Sequence, residues 1–228
     1  MQYAITPPEH PSVAIAGSTK RFPVRRIFCV GQNYADHARE MGADPDRKPP
    51  FFFCKPADAV HESGTPWPYP SRTADLHHEI ELVVALAQGG REIAKESASD
   101  CIFGYAVGID WTRRDLQAAA KKDGRPWDAA KGFDHAAMLG PIHPHAATGH
   151  IATGRIWLAV DDVVKQNGDV SQLIWSVPEV IAELSTLFEL RAGDLIYTGT
   201  PAGVGAVRRG QHVTGGIDGL GEISAAIV

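Results

Sequence analysis

The sequence predicts an α+β fold that is rich in β-structure, a β-sandwich or barrel-like roll with a few helices. Three observations lead there. The 228 residues carry 23 glycines and 16 prolines spread along the chain without an internal repeat, which implies many short elements joined by turns. Short apolar, β-branched runs bounded by turn residues outnumber every other pattern. Only two stretches combine helical periodicity with start and stop signals. A hydrophobic fraction of 44% and a charged fraction of 21% belong to an ordinary globular chain, long enough for a substantial core.

In chain order, Arg26–Val30 is an apolar run read as a buried strand, leading into Gly31-Gln-Asn-Tyr-Ala-Asp-His-Ala-Arg-Glu40 and a Pro-rich loop around residues 44–50. The stretch His77–Leu86 ends at Gln88-Gly89-Gly90, and its Val83-Val84 pair favours a strand. Ile102–Ile109 is a second strand, with Asp110 at its end. Thr112 with Asp115 reads as a capping box for a helix through Leu116, Ala118–Ala120 and Lys122 to Gly124. Asn167-Gly168, between Val163-Val164 and Val170, is a type I′ hairpin signal. Ser176-Val-Pro-Glu179 caps the second helix, whose stripe of Val180, Ile181, Leu184, Leu187 and Phe188 reads as core packing, with Gly193 beyond. Ile156–Val160, Asp194–Tyr197 and Gly221–Val228 complete the strands. Residues 1–21 read as an N-terminal extension and 22–228 as a single catalytic domain.

The chemistry centres on Glu79 and Glu81. On a helix, residues two apart point about 200° away from each other; on a strand they share a face, roughly 7 Å apart along the chain. The strand reading therefore sets two acids side by side. Burial of like charges costs several kcal/mol each unless compensated, and a divalent cation compensates them. The alternative is a solvated edge strand with its acids in water. Asp110, at the mouth of a buried strand, adds a third carboxylate and weighs against that alternative. Three carboxylates without imidazole or thiolate suit Mg²⁺, Mn²⁺ or Ca²⁺ and not zinc. His77 shares the acids' face, whereas His78 points away. His37 and Glu40, three apart, can pair on one helical turn, the carboxylate raising the basicity of the imidazole; an idle surface pair is the alternative.

Several functional classes find no support. Gly199–Gly205 is glycine-rich but lacks the Gly-Lys-Ser/Thr ending of a phosphate loop, and no Gly-x-Ser-x-Gly elbow occurs. His143 and His145, split by Pro144, read as a loop and not a metal site. The formal net charge of −5 with no basic block argues against nucleic acid as a partner. No apolar run reaches the ~18 residues of a membrane span, and the first ten residues lack a signal peptide's basic start and apolar centre. Cys29, Cys54 and Cys101 are far apart and read as reduced thiols, so the expectation is a cytoplasmic protein.

These residues, taken together, resemble the fumarylacetoacetate hydrolase superfamily from about Phe22 onward. The resemblance rests on Cys29-Val-Gly-Gln-Asn-Tyr-Ala-Asp-His37, Pro50-Phe-Phe-Phe-Cys-Lys-Pro56, His78-Glu-Ile-Glu-Leu82, Gly108-Ile-Asp-Trp-Thr-Arg-Arg-Asp-Leu-Gln117, Pro126-Trp-Asp-Ala-Ala-Lys-Gly-Phe133 and Ile196-Tyr-Thr-Gly-Thr-Pro-Ala-Gly-Val-Gly205. Within it the chain looks most like the fumarylpyruvate hydrolases of aromatic-acid degradation. The resemblance implies the family's mixed β-sandwich roll, a homodimer, and a metal, Mg²⁺ or Mn²⁺ with Ca²⁺ able to replace it in crystals, on Glu79, Glu81 and Asp110. It implies His37, Glu40 and Lys131 as catalytic groups, the first two on a lid, so that the segment 37–48 is expected to be mobile. It implies Lys55, Arg114, Gln117 and Thr200 as groups lining the substrate cavity, with Lys55 or Arg114 clamping a distal carboxylate. The expected reaction is metal-dependent hydrolysis of a C–C bond in a 2,4-diketo acid, most closely fumarylpyruvate. The alternatives are acylpyruvate hydrolysis, oxaloacetate decarboxylation, and a non-catalytic metal-dependent binding protein. Trp111 stands where many relatives carry Met, and is expected to narrow the cavity.

Overall fold

A computed structural model of the chain describes residues 2–40 and 48–228. Its centre is a mixed sheet whose strands run, in spatial order, Phe51–Lys55, Arg26–Gly31, Asp194–Tyr197, Ile80–Leu86, Ile102–Asp110, Ala137–Leu139 and Val60–Glu62. Arg26–Gly31 and Asp194–Tyr197 are parallel, as are Ala137–Leu139 and Val60–Glu62; the other neighbours are antiparallel. An antiparallel sheet, Val163–Asp169, Arg155–Val160, His212–Ile217 and Gly221–Ala226, lies across it.

Strand alternation divides the core in two. Ile80, Leu82, Val84 and Leu86 join Phe28, Tyr105, Val107 and Ile109 on one face. That face packs against Ile156, Leu158, Val213 and Ile223 of the second sheet and Val180, Ile181 and Leu184 of the helix Val177–Leu187. Val83 and Ala85 belong to the other face with Ile27, Cys29, Ala106, Leu195 and Tyr197, and Val13 and Phe22 from the first residues join them. Because the period is two, Glu81 falls on this second face in line with Val83, and Asp110 in line with Ala106. The sheet therefore carries both acids on one side.

Both sequence-predicted helices form, with differences at their ends. Thr112 is no cap: Thr112–Arg113 pairs with the strand Leu76–His78, and the helix Arg114–Lys122 begins after it without a side-chain cap. Asp115 reaches outward instead and accepts from Thr73 Oγ1 (2.7 Å) and the Ala74 N–H (3.0 Å). At the second helix, the Glu179 carboxylate accepts from Ser176 N (3.0 Å) and Oγ (2.8 Å), as the capping box requires. Leu187 ends this helix 59% exposed, outside the core stripe, while Phe188 packs 5.0 Å from the Phe28 ring.

The hairpin expected at Asn167-Gly168 is displaced. Both residues lie inside the strand Val163–Asp169, and the turn is made by Asp161 and Asp162, at φ 48° and 62°. Gly168 serves close approach: a Cβ there would stand 2.9 Å from Pro201 Cβ. The glycine lets this strand pass beneath the loop that follows Tyr197.

Candidate active site

Antiparallel pairing sets Glu81 opposite Gly108, and the Glu79 carbonyl accepts from the Asp110 N–H (2.9 Å). Glu79 sits in the break between the strands Leu76–His78 and Ile80–Leu86, Glu81 inside the latter and Asp110 at its neighbour's end. One oxygen from each of the three carboxylates lies within 4.8 Å of the others, and all three side chains are buried. The strand reading of Glu-x-Glu, and not the helical one, therefore describes the geometry.

Three cations face the acids. Lys131 Nζ, from the short helix Asp128–Lys131, donates to Glu79 Oε2 (2.7 Å) and Asp110 Oδ2 (2.8 Å). Lys55 Nζ lies 2.7 Å from Asp110 Oδ1 and donates to the carbonyl oxygens of Trp111 (3.3 Å) and Lys131. Arg114 pairs with Glu79 through Nη2, donates to Gln117 Oε1 (2.5 Å), and meets His77 Nδ1 at 3.4 Å. The formal charges cancel, but not evenly. Burial raises the Glu79 pKa, yet Lys131 and Arg114 hold it well below the usual carboxylate range. Burial, with Asp110 and Glu79 beside it, pushes the Glu81 pKa well above that range despite a hydrogen bond from the Gly199 N–H (2.8 Å). Burial would lower Lys131, but Asp110 and Glu79 raise it above an ordinary lysine.

The donor set fits a hard divalent cation: all oxygen, buried, and convergent. Asp110 Oδ1 is buried and makes no directed hydrogen bond, since Lys55 approaches it off the hydrogen-bonding angle. Glu81, strained by its two acidic neighbours, is the carboxylate a cation would relieve most.

His37 roofs the same cleft from the helix Ala35–Glu40, and burial lowers its pKa, which favours the uncharged imidazole. Its Nδ1 has no hydrogen-bond partner and stands 3.7 Å from Glu40 Oε2. The Glu40 carboxylate is engaged by the Gly203 N–H, 3.1 Å from each oxygen, which ties this helix to the 199–203 loop. The two residues are adjacent but not bonded. The lid expected over 37–48 falls partly on residues 41–47, which lie outside the described residues.

Gln117 and Thr200 line the cleft. Thr200 Oγ1 donates to the Ile80 carbonyl (2.7 Å) and accepts from Gln166 Nε2 (2.8 Å). Lys55 and Arg114, expected to line the substrate cavity, are ion-paired with Asp110 and Glu79. Trp111 does not narrow the cleft: its buried ring stacks on Trp67, centroids 4.6 Å apart, in the core.

Two groups escaped the sequence reading. Gln166 is fully buried, accepts from the Ile80 N–H (3.1 Å) and faces His78 Nδ1 at 2.9 Å; nothing local in its strand marks it. Phe51, Phe53 and Trp127 form an aromatic wall of the cleft, Phe51 edge-on to Trp127 at 5.4 Å. The run Phe51-Phe-Phe53 was the available signal.

The model of the family described as "Fumarylacetoacetate (FAA) hydrolase C-terminal" matches residues 26–228. A fumarylpyruvate hydrolase of Ralstonia sp. is 44% identical over 177 residues, covering 78% of this chain and 92% of that protein. A mitochondrial oxaloacetate decarboxylase of Dictyostelium discoideum is 40% identical over 197 residues, covering 86% and 90%. The crystal structure of fumarylpyruvate hydrolase from Pseudomonas aeruginosa in complex with Mn²⁺ and pyruvate superposes with a TM-score of 0.97 at 52% identity, covering 100% of this chain and 99% of that one. With the matched model spanning nearly the whole chain and the fold shared throughout, the chain belongs to the fumarylacetoacetate hydrolase family.

Proposed function

We propose that the protein is a metal-dependent hydrolase that cleaves a C–C bond of fumarylpyruvate, giving fumarate and pyruvate. The observation that carries this reading is the buried Glu79–Glu81–Asp110 cluster, ringed by Lys131, Arg114 and Lys55 and roofed by the imidazole of His37. The Ralstonia and Pseudomonas relatives support it, the latter holding Mn²⁺ and pyruvate. Glu79, Glu81 and Asp110 would hold Mg²⁺ or Mn²⁺, which when bound supplies the charge that steadies the 2-keto acid and its enolate.

The chain's own groups divide the remaining work. His37, which lines the cleft, takes a proton from water as the water oxygen attacks the distal carbonyl. Glu40, adjacent at 3.7 Å, steadies the imidazolium that forms once the two close to bonding distance. The C–C bond of the tetrahedral adduct then breaks, its electron pair passing to the pyruvate enolate. Lys131 and Arg114 are placed beside the acids where that negative charge grows, and such pre-set charges in a dry site carry much of a barrier reduction. His37 returns its proton to the enolate carbon. The reading includes a homodimer, as the family resemblance implies, in the cytoplasm, the expectation drawn from the three separate cysteines.

Oxaloacetate decarboxylation is the second reading, favoured by the Dictyostelium relative. It forms the same enolate by loss of CO₂ and needs no base for water. Steady-state rates with fumarylpyruvate, acetylpyruvate and oxaloacetate separate the two. Fumarylpyruvate is expected to show the highest kcat/KM. His37→Ala is expected to slow its cleavage by about 10²–10⁴-fold, the usual contribution of a positioned base, and oxaloacetate decarboxylation far less. A higher kcat/KM for oxaloacetate in the parent enzyme would overturn the assignment.

A further inference from the structure

The geometry points to Lys121 as the residue that recognises the distal carboxylate of the substrate, making this site selective for a dianionic acylpyruvate. The inference rests on the hydrolase reading above and names a determinant within it.

The helix Arg114–Lys122 turns one face to the cleft. Arg114, Gln117 and Lys121 stand at i, i+3 and i+7, and all three line the cavity. At about 1.5 Å per residue, Lys121 lies roughly 10 Å along the axis from Arg114, which marks the acid cluster. A seven-carbon diketo diacid in extended form, at about 1.5 Å per bond, spans on the order of 7–8 Å between its end carbons. Hydrogen-bond reach at either end makes up the difference. A substrate with its keto-acid end at the carboxylate cluster therefore brings its far end to Lys121.

Charge bookkeeping singles out the same residue. Lys55, Lys131 and Arg114 are each paired with Asp110 or Glu79. Among the described residues, Lys121 lines the cleft with no carboxylate in ion-pair range; its Nζ rests 5.0 Å from the centroid of the Trp127 ring. Partial desolvation against the cleft wall, and the nearby Arg114, lower its pKa, although the side chain stays accessible to solvent. Trp127 and Phe51 beside it offer flat apolar faces to a conjugated fumaryl group.

The test is the ratio of kcat/KM for fumarylpyruvate over acetylpyruvate, which lacks the distal carboxylate, in Mn²⁺-loaded parent, Lys121→Met and Lys121→Arg enzymes. Loss of one charge-assisted hydrogen bond should lower the ratio by about tenfold or more in Lys121→Met, chiefly through KM. Lys121→Arg should restore it to within about threefold, which a merely structural role would not do. Lys121 is exposed, so both variants should fold, and matched melting temperatures verify it. A parent ratio that is high and survives in Lys121→Met overturns this inference alone. A parent ratio below one overturns the fumarylpyruvate reading, and this inference with it.

Discussion

Glu81 shows how one carboxylate can mark a cation site. Its oxygens are buried beside Asp110 and Glu79, and burial with those neighbours drives its pKa up, a penalty on its charge that a bound cation would relieve. Glu81→Gln should therefore leave metal-free stability nearly unchanged or slightly raised, since an uncharged amide removes the repulsion from Asp110 and Glu79. The same variant should lose the melting-temperature rise that Mn²⁺ gives the parent. At a free ion concentration of one hundred times Kd, that stabilisation amounts to about 2.7 kcal/mol. Differential scanning calorimetry with and without Mn²⁺ measures both quantities, and an Mn²⁺-dependent rise surviving in Glu81→Gln would remove the acid from the metal's ligands. The role of Glu81 was legible in sequence because period-two alternation needs only a strand and a residue pair. The role of Gln166 was not: it reaches His78, Ile80 and Thr200 across 88, 86 and 34 residues of chain, and no local rule reports such partners.

Among elements, the helix Arg114–Lys122 is the one on which the site most depends, and its anchor is Asp115. Burial nudges this carboxyl up, but the Thr73 hydroxyl and the Ala74 and Leu116 N–H groups bind its charged form and lower its pKa below the ordinary aspartate value. The folded state thus holds fewer protons than the unfolded one between the two pKa values, so stability rises with pH across that window. The contribution is complete above the unfolded value of about 3.9 and fades as pH falls through the lower folded one. Asp115→Ala should cost about 1–2 kcal/mol at pH 7, the worth of one or two such hydrogen bonds. In urea titrations the gap to the parent should shrink below about pH 4. A gap that is constant down to pH 2 would show that the ionised carboxylate is not the anchor. The helix itself was readable from its pattern; its true start was not, because pairing of Thr112–Arg113 with Leu76–His78 overrides the local capping signal.

At the scale of the whole molecule, the two sheets are held by a shared apolar layer, and Leu158 lies fully buried within it. Leu158→Ala should cost about 2–5 kcal/mol, measured by urea denaturation with an unchanged slope. The second face is close-packed as well: a Cβ on Gly108 would meet Val83 Cγ2 at 2.7 Å and Tyr197 Cε1 at 2.8 Å. Glu81 and Asp110 grow out of that close-packed floor, which is why the acids cannot simply move apart to relieve their repulsion.

Local sequence set the strand character of Ile80–Leu86 and Ile102–Asp110, the pairing of acids on one face, and the two helices, because each follows from a period or a cap written within a dozen residues. The family, too, was legible from its ordered motifs. Tertiary structure alone decided which charges meet. Lys131 comes to Glu79 and Asp110, and Lys55 to Asp110, from elements 21 to 55 residues distant. It moved the turn from Asn167-Gly168 to Asp161-Asp162, since Gly168 is needed for the approach of Pro201. It also turned Trp111 into the core against Trp67. These outcomes depend on long-range packing and on cancelling buried charges, and neither has a period that a single stretch of chain can display.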